Sequence, residues 1–244
     1  MRNASLSLIL LAAAAMAWAQ STTTPAAKTG TAAKAPVHHA ASGPPTAIID
    51  TTAGKLTCTL FPDKAPIGVA NFIGLATGTK DWTTSKGAKK HGVPLYDGTI
   101  FHRVIPEFMI QGGDPAGDGT GDPGYKFKNE VSSDLLFDKP GRLAYANSGP
   151  DTNGSQFFIT EDVAHSRHLS GSYTIFGQCD DASLELVKQI ARMATDPRND
   201  RPFRPVKINH IAITYGAATS AMPAKPATPA KKSAAASPSS ATDK

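Results

Sequence analysis

Two stretches of this chain carry side chains that could do chemistry rather than merely fill a core. The first is Phe101-His102-Arg103-Val104-Ile105-Pro106-Glu107-Phe108-Met109-Ile110-Gln111-Gly112-Gly113-Asp114. Strand alternation places Arg103 on the face opposite His102 and Val104. A guanidinium stays charged and offers several donors, so on an accessible face it can stabilise a lone pair developing on a nearby nitrogen or oxygen. The second stretch is Ala146-Asn147-Ser148-Gly149-Pro150-Asp151-Thr152-Asn153-Gly154-Ser155-Gln156-Phe157-Phe158. In it Gln156 and Phe158 share one strand face, while Phe157 and Ile159 point the other way.

Other chemistries find less support. No Ser-His-Asp arrangement and no paired carboxylates stand out. Among the seven histidines, His165 and His168 have a usable i, i+3 spacing, but no matching set of ligands lies nearby, so no metal and no other cofactor is expected. His102 is expected to point into the core as a satisfied histidine, and His38-His39 lies in a polar spacer. Gly117-Asp118-Gly119-Thr120-Gly121 has the look of a phosphate loop, yet Asp122-Pro123-Gly124 is a turn and no helix follows. Asn153-Gly154-Ser155 and Asn3-Ala4-Ser5 are formal glycosylation acceptors; the former is better read as a tight turn feeding the Gln156 strand.

The elements that must position these residues are mostly short strands. Thr46–Asp50 and Lys55–Phe61 predict a hairpin in which Leu56, Cys58 and Leu60 face inward. Pro66 at a first helical turn, then Val69, Phe72, Ile73 and Ala76, predict a helix closed by Gly78. Residues 79–95 are polar and Lys-rich and read as an exposed loop. Strands are predicted over Thr99–Ile105, Phe108–Gln111, Arg142–Ala146, Gln156–Thr160, Tyr173–Gln178 and Val206–Tyr215, with a second helix over Ser183–Ala194. The expected fold is mainly β: a closed antiparallel β-barrel capped by two α-helices.

Residues 1–19, with Arg2, an apolar run from Leu6 to Ala17 and the small-x-small pattern Ala17-Trp18-Ala19, read as a signal peptide. The apolar run falls short of the ~20 residues a membrane span needs, so no stable insertion is expected once the leader is removed. Residues 20–45 and 216–244 are rich in Ala, Pro, Thr, Ser and Lys and read as flexible spacers around one domain at 46–215. The net charge of +5 comes partly from these tails and partly from the Lys80–Lys90 loop. No aromatics interleave with the tail lysines, so nucleic acid is not an expected partner. The two cysteines, Cys58 and Cys179, are as readily two buried thiols as one disulfide in an exported protein. The compact site and the lack of an apolar oligomerisation helix point to a monomer.

Both stretches resemble the active-site blocks of the cyclophilin family, in family order and spacing, and the resemblance covers about Thr46 to Tyr215. It implies isomerisation of X-Pro peptide bonds in proline-containing polypeptides, with Arg103 as the catalytic residue. It further implies that Phe108, Met109, Phe158 and Leu169 wall the proline pocket and that Gln111, Asn147 and Gln156 bind substrate backbone. Ala146 and Asn147 would present backbone groups as a strand edge, and Gly119-Thr120 matches the family's neighbouring loop. Three positions depart from the common pattern: His168 stands for a tryptophan, Tyr173 for a histidine and Ser148 for an alanine. Loss of the indole donor at His168 implies weakened cyclosporin binding. Ser148 implies a shifted preference before proline. An export-pathway foldase is the leading reading; the alternative is a proline-peptide-binding holdase that uses the same groove without relying on catalysis.

Overall fold

A computed structural model describes residues 43–216, so the leader, most of the first spacer and nearly all of the tail lie outside the described residues. Eight strands form one antiparallel sheet: β1 (Pro45–Thr51), β2 (Gly54–Leu60), β3 (Arg103–Ile105), β4 (Met109–Gly112), β5 (Arg142–Tyr145), β6 (Phe157–Thr160), β7 (Ile175–Cys179) and β8 (Ile208–Tyr215). Their spatial order is β8-β1-β2-β7-β5-β6-β4-β3. The first strand begins at Pro45, inside the stretch read as spacer; a proline at the first position of a strand leaves the ladder intact.

The sheet curls around its core, and its two edges meet only beside the outer strands. Ile100 and Lys207 form an isolated antiparallel bridge, flanked by Phe101 N–H donating to Val206 C=O at 3.0 Å and Ile208 N–H donating to Thr99 C=O at 2.8 Å. The fold is mainly β with two helices, as expected, and the curled sheet with its edges joined at this bridge is consistent with the expected barrel. The same bonds explain why the strand expected from Thr99 begins only at Arg103: residues 99–101 pair with Val206, Lys207 and Ile208, at the start of β8.

Helix α1 (Pro66–Thr77) starts on its proline and ends at Gly78, whose φ of 73° is the left-handed cap conformation glycine favours. Val69, Phe72, Leu75 and Ala76 are buried against the sheet. Helix α2 (Asp181–Ala191) is capped by Asp180, whose carboxylate accepts from Ser183 N–H at 2.8 Å. That cap places its start two residues before the expected Ser183, and Ala194 falls beyond its end and is exposed. Val187, Ile190 and Ala191 are its buried face. Inside the loop expected at residues 79–95, Trp82–Thr83 and Lys89–Lys90 pair as a short ribbon, and Leu95 is buried.

Cys58 and Cys179 lie directly opposite each other in the β2–β7 register and are joined as a disulfide. The alternation expected along β2 holds, with Leu56, Cys58 and Leu60 all buried. Strands β5 and β6 are buried at every position. Both faces of this part of the sheet are therefore covered, and the outer cover is the site.

Candidate active site

Register sets a row of side chains across the outer face. Arg103 of β3 lies opposite Gln111 of β4, Gln111 opposite Phe158 of β6, and Phe158 opposite Ala144 of β5. Paired residues in a ladder project from the same face. The neighbouring row, Val104, Ile110, Ile159 and Leu143, projects inward to the main core. One-residue slippage would exchange the two rows, so the apolar inner row is what fixes the outward aim of Arg103.

Arg103, Phe108, Met109, Gln111, Ala146, Asn147, Phe158, Leu169 and Tyr173 line a cavity of about 140 Å³. Its floor is a second small core of Met109, Phe137, Ala144, Phe158, Leu169 and Ile175. Phe158 is held from both sides: Phe137 stacks on it at 5.8 Å between ring centroids, and Tyr173 meets it edge-on at 5.6 Å. Such pairs contribute about 0.5–1.5 kcal/mol each beyond burial, so the wall is rigid before any ligand enters. The lining contains no thiol, carboxylate, imidazole or aliphatic hydroxyl. It suits an apolar ring and offers no nucleophile.

Phe108 reaches the cavity from the turn between β3 and β4, where Glu107 takes a φ of 63°. That left-handed conformation is uncommon outside glycine and persists here because Glu161 fixes the turn. The Glu161 carboxylate accepts Glu107 N–H at 2.9 Å, its own N–H donates to Phe108 C=O at 2.8 Å, and Arg192 pairs with it from the end of α2. Nothing in the spacing of Glu161 marked it.

Arg103 donates from Nε to Asp200 Oδ2 at 3.3 Å. Its terminal nitrogens make no hydrogen bond among the described residues, and its side chain is 41% exposed. The guanidinium is thus anchored by its stem-side nitrogen with its fork left for a ligand. Asp200 has a φ of 58° and accepts Val104 N–H through its carbonyl at 3.0 Å, which ties anchor and strand together.

A second cavity, of about 130 Å³, shares Gln111, Ala146 and Asn147 with the first and is otherwise polar. It gathers Gly119, Thr120, Ser148 and Gln156, together with Gly121, Asp122, Lys126, Thr152, Gly154 and Ser155. Gln156 spends both amide hydrogens on loop carbonyls, Gly119 at 3.0 Å and Gly121 at 2.8 Å, while its oxygen accepts from Gln111 at 2.9 Å. It therefore acts as a clamp: its donors are engaged, and among the described residues Gln111 is left with a free carbonyl oxygen and one free amide hydrogen. Asp114, fully buried, shapes the loop by accepting from Ala116, Asp118 and Gly119 N–H. Gly121 is required there, because a Cβ would sit 2.0 Å from Asp114 Oδ1.

Asn147 turns its side chain toward Asn153, Asn129 and Gly149, while no hydrogen bond among the described residues uses its backbone N–H or C=O. Ala146 N–H donates to Gln156 C=O at 2.9 Å. Beyond β5, Ser148 N–H donates to Thr152 Oγ1 and Gly149 N–H to Asn147 Oδ1. The Ala146 N–H expected to face substrate is thus already used, and Asn147 alone offers both backbone groups to an extended peptide.

Two histidines differ from expectation. His168 lines neither cavity; it is exposed in the turn at Arg167–Leu169 and stacks against Phe108 at 6.3 Å between ring centroids. His102 is only 5% exposed, but neither ring nitrogen has a hydrogen-bond partner among the described residues. It sits under Gly119, where a Cβ would lie 3.6 Å from its Nε2. The amides of that loop are already committed to Asp114, so the cover over His102 satisfies neither nitrogen, and burial lowers its pKa below the ordinary histidine value.

Residues 46–213 match the family model described as cyclophilin type peptidyl-prolyl cis-trans isomerase/CLD. The chain is 53% identical over 170 residues to peptidyl-prolyl cis-trans isomerase A of Mycobacterium tuberculosis, covering 69% of this chain and 92% of that protein. It is 48% identical over 168 residues to peptidyl-prolyl cis-trans isomerase B of Streptomyces anulatus, covering 68% and 95%. The crystal structure of a Cryptosporidium parvum cyclophilin type peptidyl-prolyl cis-trans isomerase superposes with a TM-score of 0.59 at 33% identity, covering 70% of this chain and 98% of that one. A second crystal structure of that protein, in the presence of the dipeptide Ala-Pro, gives 0.57. With the outer-face row of Arg103, Gln111 and Phe158 beside an apolar cavity, these likenesses make the chain a member of the cyclophilin-type peptidyl-prolyl cis-trans isomerase family.

Proposed function

We propose that the 140 Å³ cavity holds the ring of a substrate proline while Arg103 stabilises the twisted X-Pro amide, in polypeptides that have left the cytoplasm. The observation that carries this reading is the free guanidinium fork beside an apolar wall that contains no nucleophile. Rotation about an X-Pro bond must break amide resonance, a barrier of roughly 18–20 kcal/mol. As the bond twists, the nitrogen regains a lone pair and the carbonyl loses its partial negative charge. A donor aimed at that nitrogen binds the twisted amide better than either planar form, which is the condition for acceleration. Phe108, Met109, Phe158 and Leu169 hold the ring; Gln111 and the Asn147 backbone hold the flanking chain; Gln156 keeps Gln111 and the Gly119–Gly121 loop in place. A related cyclophilin crystallised in the presence of Ala-Pro supports proline as the group in the cavity.

Export is supported by the leader-like residues 1–19 and by the Cys58–Cys179 disulfide, since disulfides persist in oxidising compartments. The periplasm or the medium is the destination, and the domain works as a monomer without a cofactor. Titrating the protein with an Ala-Pro-Phe peptide, observed by NMR, tests the site. Shifts should concentrate on Met109, Gln111, Asn147, Phe158 and Leu169; shifts centred elsewhere on the surface would overturn the assignment.

A further inference from the structure

Between Lys80 and Lys90 the chain carries four lysines against one aspartate. Trp82–Thr83 and Lys89–Lys90 fold this segment into a ribbon, with Trp82 opposite Lys90 and Thr83 opposite Lys89. The ribbon abuts the rim of the polar cavity. Thr83 N–H donates to Pro123 C=O at 2.9 Å, and a Cβ on Gly124 would lie 2.8 Å from Thr83 Cβ. Asp122, next to this contact, lines the cavity itself.

The root of the ribbon is tied to the cavity from below. Lys80 Nζ donates to Asn71 Oδ1 at 2.8 Å and lies 4.3 Å over the Tyr125 ring, while Asn71 Nδ2 donates at 3.0 Å to the carbonyl of Gly154, which lines the cavity. Lys80 is thereby committed to structure. Facing residues of a ladder share a side, so Lys89 lies on the side of Thr83, toward the rim, and Lys90 lies with Trp82 on the other. Lys86, at the tip, is exposed. Among the described residues Lys86 and Lys89 have no carboxylate within 4.0 Å; at the rim Asp122 pairs with Lys126 at 3.8 Å, while Asp118, hydrogen-bonded by Thr120, keeps its negative charge.

We infer that this ribbon extends the peptide groove and selects clients that carry acidic side chains a few residues from the X-Pro bond, with Lys86 and Lys89 supplying the attraction. The inference rests on the isomerase reading of the neighbouring cavity. An extended chain advances about 3.3 Å per residue, so a client that leaves the proline cavity through the polar one crosses the rim within a few residues and meets this positive charge. The pairs formed are exposed, so the preference is modest and weakened by salt.

The test uses the full chain and three peptides built on Ala-Pro-Phe: unextended, extended through a Gly-Ser spacer by three Glu, and extended identically by three Gln, with the extension placed on either end in separate sets. At low ionic strength the Glu peptide on one end should show kcat/KM about three- to tenfold above its Gln counterpart, and high salt should erase the difference. The Lys86→Gln/Lys89→Gln double variant should turn over the unextended peptide as the parent does and lose the preference for Glu. Equal turnover of Glu and Gln peptides by the parent, or a preference that survives in the double variant, would overturn the inference. Absence of turnover on the unextended peptide would count against the isomerase reading instead.

Discussion

Asp200 is the group through which the account of Arg103 can be tested without touching Arg103. Its φ of 58° means that alanine there would add backbone strain, whereas glycine adopts this conformation freely. Asp200→Gly thus removes the carboxylate while sparing the turn, and Asp200→Asn, which also tolerates a left-handed backbone, removes only the charge. The pair it breaks spans 3.3 Å between side chains that are 41% and 38% exposed. Solvent screening at that exposure limits the anchor to about 0.2–1 kcal/mol. The expected fall in kcat/KM on an Ala-Pro-Phe peptide is therefore about 1.4- to 5-fold for the glycine variant, and less for asparagine, which can still accept from Nε. Because Asp200 acts through Arg103, removing it from an Arg103→Ala background should cost nothing further. Equal damage from Asp200→Gly and Arg103→Ala, or full additivity in the double variant, would refute the idea that Asp200 only positions the guanidinium. Denaturant midpoints measured alongside should stay near the parent value.

Three further outcomes follow from particular residues. Burial keeps His102 neutral in the folded state below the pH at which an unfolded histidine takes up a proton, about 6.5. Unfolding there binds a proton, so stability should fall as pH drops from about 7 towards 5, and urea titrations of His102→Phe should show a shallower fall; parallel curves would contradict this. The Cys58–Cys179 bond closes 121 residues of chain, for which loop entropy gives at most about 5 kcal/mol; reduction should lower the denaturant midpoint substantially, and an unchanged midpoint would show that the bond does not form in solution. His168 stacks against Phe108 with no indole donor, so cyclosporin should bind weakly and His168→Trp should tighten it about tenfold or more, as an added hydrogen bond and ring area would. Equal affinity in calorimetry would dismiss His168 as the cause.

Much of the site was legible because its parts are local. Arg103 and Val104 alternate over two residues, Gln156 and Phe158 over three, and Gly or Pro brackets most strands, so faces and turns follow from short windows. Strands β5 and β6 were found from that punctuation alone, since burial on both faces removes any alternation. What escaped is tertiary support. Asp200 reaches Arg103 across 97 residues and Glu161 reaches the Glu107 turn across 54, and neither carries a local pattern. Phe137 is an apolar residue in an irregular segment, and only the fold places it on Phe158. For His102, alternation suggested the core, yet the ring lies under the 114–121 loop beside a cavity it shares with Arg103 and Gln111, and the committed amides of that loop leave it without partners among the described residues. Register likewise settled the cysteine pair, which spacing in sequence left open. Gln156 shows a different limit, since its residue type suits substrate binding and only the positions of Gly119 and Gly121 reveal that its donors are occupied.

The central claim is that a free guanidinium, not a nucleophile or a metal, lowers the barrier. Isomerisation of an Ala-Pro-Phe peptide by the parent chain and by Arg103→Ala tests it most directly. Removing a charged donor aimed at the reacting atoms typically costs about 10²–10³ in rate; the account predicts a fall of that size in kcat/KM with an unchanged denaturant midpoint, and with peptide still bound because the apolar walls remain. Turnover within about threefold of the parent would contradict it.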